Sequence, residues 1–297
     1  MAESRVLVAG ASGQLGSVIV RQLAATGVPV RAVARNRQKL EALKAPGVEI
    51  VPVDLMNLAA LTDACRGVGQ IVSTANNNMG SGATSPMKMD LSAHQNLCAA
   101  ARNAGVRRLI YLSARGIEQD SPVDIFRIKW YIEDAIRRSG VPYVIVRPTA
   151  FMDVWVDQIV ADGIRKKGTA TIFGPGTARM NYIAVEDVAA FVVKILAREE
   201  IANEVIDIGG PSTLSMNELA TLVERQLGRG GRRRHIPVLA MKALPPVVRL
   251  VNEVAARMMT LGHFATIDHP FAGWKAAADR FGVSPRTVEE HVARLSR

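Results

Sequence analysis

Cysteine is nearly absent: 297 residues contain only Cys65 and Cys98. Their spacing builds neither a disulfide framework nor a metal-ligand set, so no metal site is expected. Long apolar runs are missing too, since none approaches the roughly 18 residues that a membrane span needs. The first strand-like segment begins too early for a signal peptide. Together these absences predict a cytoplasmic chain with no transmembrane segment. Excess negative charge is the third absence: 37 Lys and Arg against 27 Asp and Glu leave a net charge of +10. The densest basic run, Arg229-Gly-Gly-Arg-Arg-Arg-His235, is of a kind that can bind nucleic acid or an anionic membrane surface. It lacks interleaved aromatics and matches no nucleic-acid-binding module, so no specific nucleic-acid partner is expected. A solvated loop between a helix and a strand accounts for it, with salt-sensitive attraction to polyanions left open. The remaining composition, 48% hydrophobic and 22% charged, is that of a globular protein with one large domain or two.

What is present starts at Val6. The run Val6-Leu-Val-Ala9 reads as a buried strand, and glycines at Gly10, Gly13 and Gly16 interrupt it. A helix pattern follows, with Leu15, Val18, Ile19 and Leu23 at three- and four-residue steps. Such a turn brings backbone close to a pyrophosphate, and the free N–H groups of the first helical turn favour its charge. The turn from Gly10 to Gly16, with Ser12, Gln14 and Leu15, is therefore expected to hold a dinucleotide. The next strand, 28–34, ends at Arg35, followed by Arg37 and Lys39. An NAD site usually places an acid there for the ribose 2′-hydroxyl. A guanidinium instead grips a 2′-phosphate, which predicts NADP(H). The alternative is a solvated basic loop.

Strands are predicted at 5–9, 28–34, 48–53, 69–74, 107–112, 142–147 and 203–208. Helices are predicted at 14–26, 36–44, 57–65, 90–104, 122–139 and 187–198. This alternation implies an α/β fold with a doubly wound parallel sheet, of the Rossmann type, and ligands at the carboxyl ends of its strands. The expected organisation is a dinucleotide-binding domain over 1–150, to which 182–208 returns. A smaller, mostly helical substrate subdomain is expected from 151–181 and 209–297.

The residues just after each strand are the site candidates. Asp54 and Leu55 stand where an adenine edge lies, although Asp54 could equally cap the next helix. Thr74, Ala75 and Asn76 leave room for a cofactor, and the polar stretch 76–86 reads as a closing loop or as a loop with no role. Ser113 follows the fifth strand. Ser121-Pro122-Val-Asp124 reads as a capped helix start. On that helix Ile125, Lys129, Ile132 and Ile136 share a face, so Lys129 is one amine in an apolar stripe, where burial would lower its pKa. The alternative is a snorkelling lysine paired with Glu133, which could pair as well with Arg137.

Several segments together resemble the NmrA-like branch of the short-chain dehydrogenase/reductase superfamily. They are GASGQLG at 10–16, VRAVARNRQKL at 30–40, NLCAAARNAGVRRLIYLSARG at 96–116, KWYIEDAIRRSGVPYVIVRPTAFM at 129–152, NYIAVEDVAAFVV at 181–193 and FGVSPRTVEEHV at 281–292. The resemblance implies that Ser113 and Lys129 match the superfamily's serine and lysine, with Lys129 also touching the nicotinamide ribose. It implies that Pro148 lies near the nicotinamide. The tyrosine expected four residues before the lysine is Ile125, which cannot donate a proton. Two readings follow. Lys129 is the acid/base of an NADPH-dependent oxidoreductase acting on a small apolar acceptor (a quinone, an enone or an aromatic), with Ser113 orienting the substrate. Alternatively the chain binds NADP(H) without turnover, as a redox sensor or an assembly or regulatory protein. Asn78, Phe151, Tyr182 and His263 are candidate pocket residues, and Trp155 could line a pocket as Tyr182 could. His263 and His269 are candidate proton donors to a substrate, and the chain is expected to be a monomer or homodimer.

Overall fold

The computed structural model describes residues 5–77 and 80–295. Six strands arise in the first half: β1 (Arg5–Ala9), β2 (Val30–Ala34), β3 (Val48–Pro52), β4 (Val68–Ser73), β5 (Arg108–Leu112) and β6 (Tyr143–Pro148). With the strand Glu204–Ile208 they form a seven-stranded sheet in the order Glu204–Ile208, β6, β5, β4, β1, β2, β3. Every pairing from β3 across to β6 is parallel. Five helices connect these strands: α1 (Gln14–Ala25), α2 (Arg37–Glu41), α3 (Leu58–Cys65), α4 (Pro86–Asn103) and α5 (Asp124–Arg137). All residues of β4 and β5 are buried, as befits parallel strands covered on both faces. The order reverses between β1 and β4, and such a switch point opens a ligand crevice at the carboxyl ends.

Arginines fasten the opposite end of the sheet. Arg108, at the start of β5, is buried and donates to the Gln70 side chain and to the carbonyls of Ile195, Leu196, Arg198 and Ile201. It thereby caps the carboxyl end of the helix Val185–Leu196, where carbonyls lack intrahelical partners. Arg31 does the same for α3 through the carbonyls of Ala64 and Arg66, and pairs with Glu49. Part of the positive charge is thus structural.

The chain divides into two units. One contains residues 1–121, 125–147 and 188–206; the other contains 122–124, 148–187 and 207–297. The second unit carries helices and, in addition, a three-stranded sheet of Thr213–Ser215, Arg179–Ile183 and Ala150–Phe151 and a two-stranded sheet of Arg232–Ile236 and Thr169–Phe173. It also contains a nine-residue π-helix, Asp153–Ala161.

Several local expectations are corrected. The basic run at 229–235 is not a loop throughout: residues 232–236 form a strand, in parallel register with Thr169–Phe173, and its arginines are exposed. Pairing at a sheet edge satisfies its backbone while leaving the charges in water. The fourth helix starts at Pro86 rather than 90, because proline suits a first helical position. The fifth starts at Asp124 rather than 122. Ser121 is buried, and its carbonyl accepts from Arg127. The two cysteines lie in the core of the first unit, where burial pushes both thiols up to about 11. Among the described residues no cluster of potential ligands could hold a metal, and no helix is long and apolar enough to cross a membrane.

Candidate active site

The glycine turn is built from backbone packed on backbone. Gly10 has φ +80°, and its missing Cβ would lie 2.7 Å from Ala75 N. A Cβ on Gly16 would collide with the Gly10 carbonyl and lie 2.8 Å from Thr74 Oγ1. Thr74 ties the turn to the end of β4, with its N and Oγ1 both bonded to Ala9 O, at 2.9 and 3.2 Å. Gly13 is the N-cap of α1 and offers no side chain to the helix, whose first turn has no acid. Ser12, Gln14 and Leu15 lie in the turn and at the helix start, with Leu15 in the core. The first-turn N–H groups of α1 therefore suit a pyrophosphate. This cradle, which any Cβ would fill, fits a dinucleotide.

Arg35 lies exposed just past β2, and Lys39 is exposed on α2. Asn36 caps α2 by accepting from Lys39 N at 2.9 Å, and Arg37 pairs with Glu41. That pairing leaves Arg35 without a carboxylate partner among the described residues, which suits a 2′-phosphate. Asp54 is not the cap of α3. Asn57 caps that helix, accepting from Ala60 N at 3.1 Å, while Asp54 closes a turn onto Met56 N. Asn96 of α4 pins the same segment by donating to the carbonyls of Leu55 and Met56, a role that no local pattern revealed. Asn76 is exposed and donates to Thr74 O. In the predicted loop 76–86, Asn77 donates to the Asp90 carboxylate and the Thr84 carbonyl, and Gly82–Thr84 form a 3₁₀ turn. Asn78 lies outside the described residues.

At the carboxyl end of β5 two charged groups have separate partners. Lys129 is half-buried; its Nζ donates to Leu112 O at 2.9 Å and sits 5.2 Å from the centre of the Tyr111 ring. Burial pulls its amine down to about 8, against the opposing pull of Asp90 and Glu133. Glu133 is fully buried and does not take Lys129 as its hydrogen-bond partner. It accepts from Arg137 at 2.5 Å, from Arg147 Nε and Nη2 at 2.9 and 2.6 Å, and from Ser113 Oγ at 2.6 Å. The Ser113 proton is thus directed at Glu133. Ile125 is buried on the lysine's face of α5 and supplies no proton.

Behind Lys129 lies a histidine that periodicity did not single out. His94 is buried; its Nδ1 donates to Asp90 O at 2.7 Å, and its Nε2 accepts from Ser73 Oγ at 3.0 Å. A carbonyl partner requires N–H at Nδ1, which fixes the tautomer. Burial lowers its pKa to about 4, so the ring is neutral. It meets the Tyr111 ring edge-on, with centroids 5.0 Å apart.

With this geometry in place, comparison settles the family. Residues 2–292 match the NmrA-like family. The chain belongs to it. A reductase of (4-alkanoyl-5-oxo-2,5-dihydrofuran-3-yl)methyl phosphate from Streptomyces griseus is 31% identical over 288 residues, covering 91% of this chain and 96% of that protein. The photosystem II assembly factor Ycf39 of Trieres chinensis is 24% identical over 242 residues, covering 82% and 75%. The crystal structure of an NADPH-dependent quinone oxidoreductase from Escherichia coli, complexed with NADPH, shares the fold. Its TM-score is 0.77 at 22% identity, with 97% of this chain and 98% of that one covered.

In this NmrA-like chain the remaining candidates belong to the second unit. Pro148 closes β6 and is buried. Phe151 is half-buried in the short strand that pairs with Tyr182 and Ile183. Tyr182 is fully enclosed in that unit's core, as is nearly all of Trp155, so neither presents a ring to a ligand in this structure. Among the described residues the Tyr182 hydroxyl has no hydrogen-bond partner, and burial holds its pKa far above the usual phenol value. His263 is half-buried, and its carbonyl caps Thr266. His269 stacks on Phe264 at 3.7 Å and bonds Phe264 O, a structural role.

Proposed function

We propose that the chain is an NADPH-dependent oxidoreductase that reduces a small apolar acceptor such as a quinone, an enone or an activated aromatic. The observation that carries this reading is Lys129, an amine with a pKa of about 8 at the carboxyl edge of a sheet whose switch point carries the glycine cradle. Gly10, Gly13 and Gly16 with the start of α1 hold the pyrophosphate, and Arg35 with Lys39 grips the 2′-phosphate. Asp54 and Leu55 flank the adenine, while Thr74, Ala75 and Asn76 line the way to the nicotinamide. When bound, the cofactor supplies a hydride. Lys129 holds at Nζ the proton that neutralises the anion left on the reduced acceptor, and recovers it from solvent. Ser113 orients an acceptor through its oxygen, since its own proton goes to Glu133.

A second reading, NADP(H) binding without turnover in an assembly or sensing role, draws on Ile125 at the tyrosine position and on the similarity to an assembly factor. Calorimetry with NADPH and NADH, followed by an acceptor screen, separates the two. Arg35→Glu should weaken NADPH about 10- to 100-fold, the worth of a charge-assisted pair, and leave NADH unchanged. With an active acceptor, kcat should fall about tenfold per pH unit above about 8, as the Lys129 proton is lost, and Lys129→Met should abolish that limb. Tight NADPH binding with no acceptor reduced would leave the sensing role standing.

A further inference from the structure

We propose that residues 229–251 form a docking face for an anionic lipid bilayer. This segment contains Arg229, Arg232, Arg233, Arg234, Lys242 and Arg249 and not one Asp or Glu. Within the strand Arg232–Ile236 alternate side chains point to opposite sides. Arg233 turns inward to Thr221 and Glu224 at 2.8 and 3.1 Å. Arg232 and Arg234 project the other way and are exposed. With Arg229 and Lys242, they have no carboxylate partner among the described residues.

The strand runs directly into two short helices, Val238–Ala243 and Pro245–Arg249, whose exposed side chains are aliphatic apart from Lys242 and Arg249, the latter paired with Asp124 at 2.9 Å. Leu239 is 75% exposed, Val247 63%, Leu250 86% and Val251 92%. Among the described residues these are the four most exposed large hydrophobic side chains, and all of them fall in the stretch that has no acid. Exposed single aliphatics are ordinary; a group of them interspersed with unpaired cations is not.

Charge decides the occupant. A second copy of the chain docking through this face would set cations against cations. A nucleic acid would satisfy the arginines but leave the leucines and valines in water, and residues 229–251 contain no Phe, Tyr or Trp on which a base could stack. An anionic bilayer satisfies both sets: headgroup phosphates take the guanidinium groups, and the aliphatic tips enter the acyl boundary. Two weak signals combined are what reversible membrane attachment requires.

The test is co-sedimentation of the full chain with phosphatidylcholine vesicles, with and without phosphatidylglycerol. Binding is expected only to the anionic vesicles and should be reversed by salt. Leu250→Asp/Val251→Asp and, separately, Arg232→Glu/Arg234→Glu should each weaken it by at least about tenfold. Unchanged circular dichroism and thermal midpoint would show that both variants fold. No binding to anionic vesicles would overturn the proposal, as would equal binding by the aspartate variant. So would analytical ultracentrifugation showing that the aspartate substitutions dissolve a dimer.

Discussion

The glycine turn and the lysine edge of the same sheet are built on opposite plans. At the turn the working groups are backbone N–H donors, and the geometry is set by side chains that are missing. At the lysine edge the working groups are charged side chains, and the geometry is set by partners drawn from distant segments. Glu133 alone gathers Ser113, Arg137 and Arg147. A backbone site tolerates no added atom, whereas a charge site tolerates no lost partner, so the two fail under opposite kinds of substitution.

Losing a partner should be the more damaging change. Glu133→Ala leaves two half-buried guanidinium groups facing an empty, fully buried acceptor site, and should cost about 3 kcal/mol or more of folding stability. Urea unfolding would show it, and Glu133→Gln should recover only part. An effect near zero would mean that the arginines swing out to solvent and that the cluster does not hold the edge together.

Acid should weaken the same region next. His94 protonates near pH 6.5 in the unfolded chain but only near 4 in the fold. The unfolded state therefore takes up the proton first, and stability, complete above pH 6.5, falls by about 3 kcal/mol on the way to pH 4. His94→Gln should flatten this part of the curve when urea midpoints are compared at pH 7 and pH 5. An unchanged slope would assign acid sensitivity elsewhere.

Adding an atom at the turn should have the smallest effect on stability. Gly16→Ala forces a Cβ against the Gly10 carbonyl, but alanine also favours the helix, so the net loss should be about 1–2 kcal/mol. NADPH affinity should fall far more steeply than stability, because the displaced backbone is the binding surface itself. Calorimetry beside thermal melts reads both quantities, and equal losses would erase the distinction.

How legible each region is in the sequence follows from the same contrast. The turn is a local pattern, strand then glycines then helix, and β1 and α1 fall within a residue of where the spacing predicts them. The seven sheet strands are legible too, the central ones because buried parallel strands are short apolar runs bounded by turns. The residues around Lys129 are visible as a stripe on α5, but their bonds are not. That Lys129 would reach Leu112 O, leaving Glu133 to Ser113 and Arg147, depends on which strand ends meet which helix. His94 carried no pattern at all, since its partners are a serine on β4 and a carbonyl of its own helix. The short strands 150–151 and 213–215 were illegible for another reason: two or three residues are too few for alternation to register.

The path of the chain carries a last consequence, for how such a protein can change through time. It passes from one unit to the other after residues 121, 124, 147, 187 and 206. The strand Glu204–Ile208, at the edge of the sheet, is itself cut by one of these crossings. No single breakpoint in a gene separates one unit intact from the other. Recombination that exchanged the C-terminal half would carry away part of the sheet with it. A graft that kept both units whole would need five joins in the chain where a simple fusion needs one.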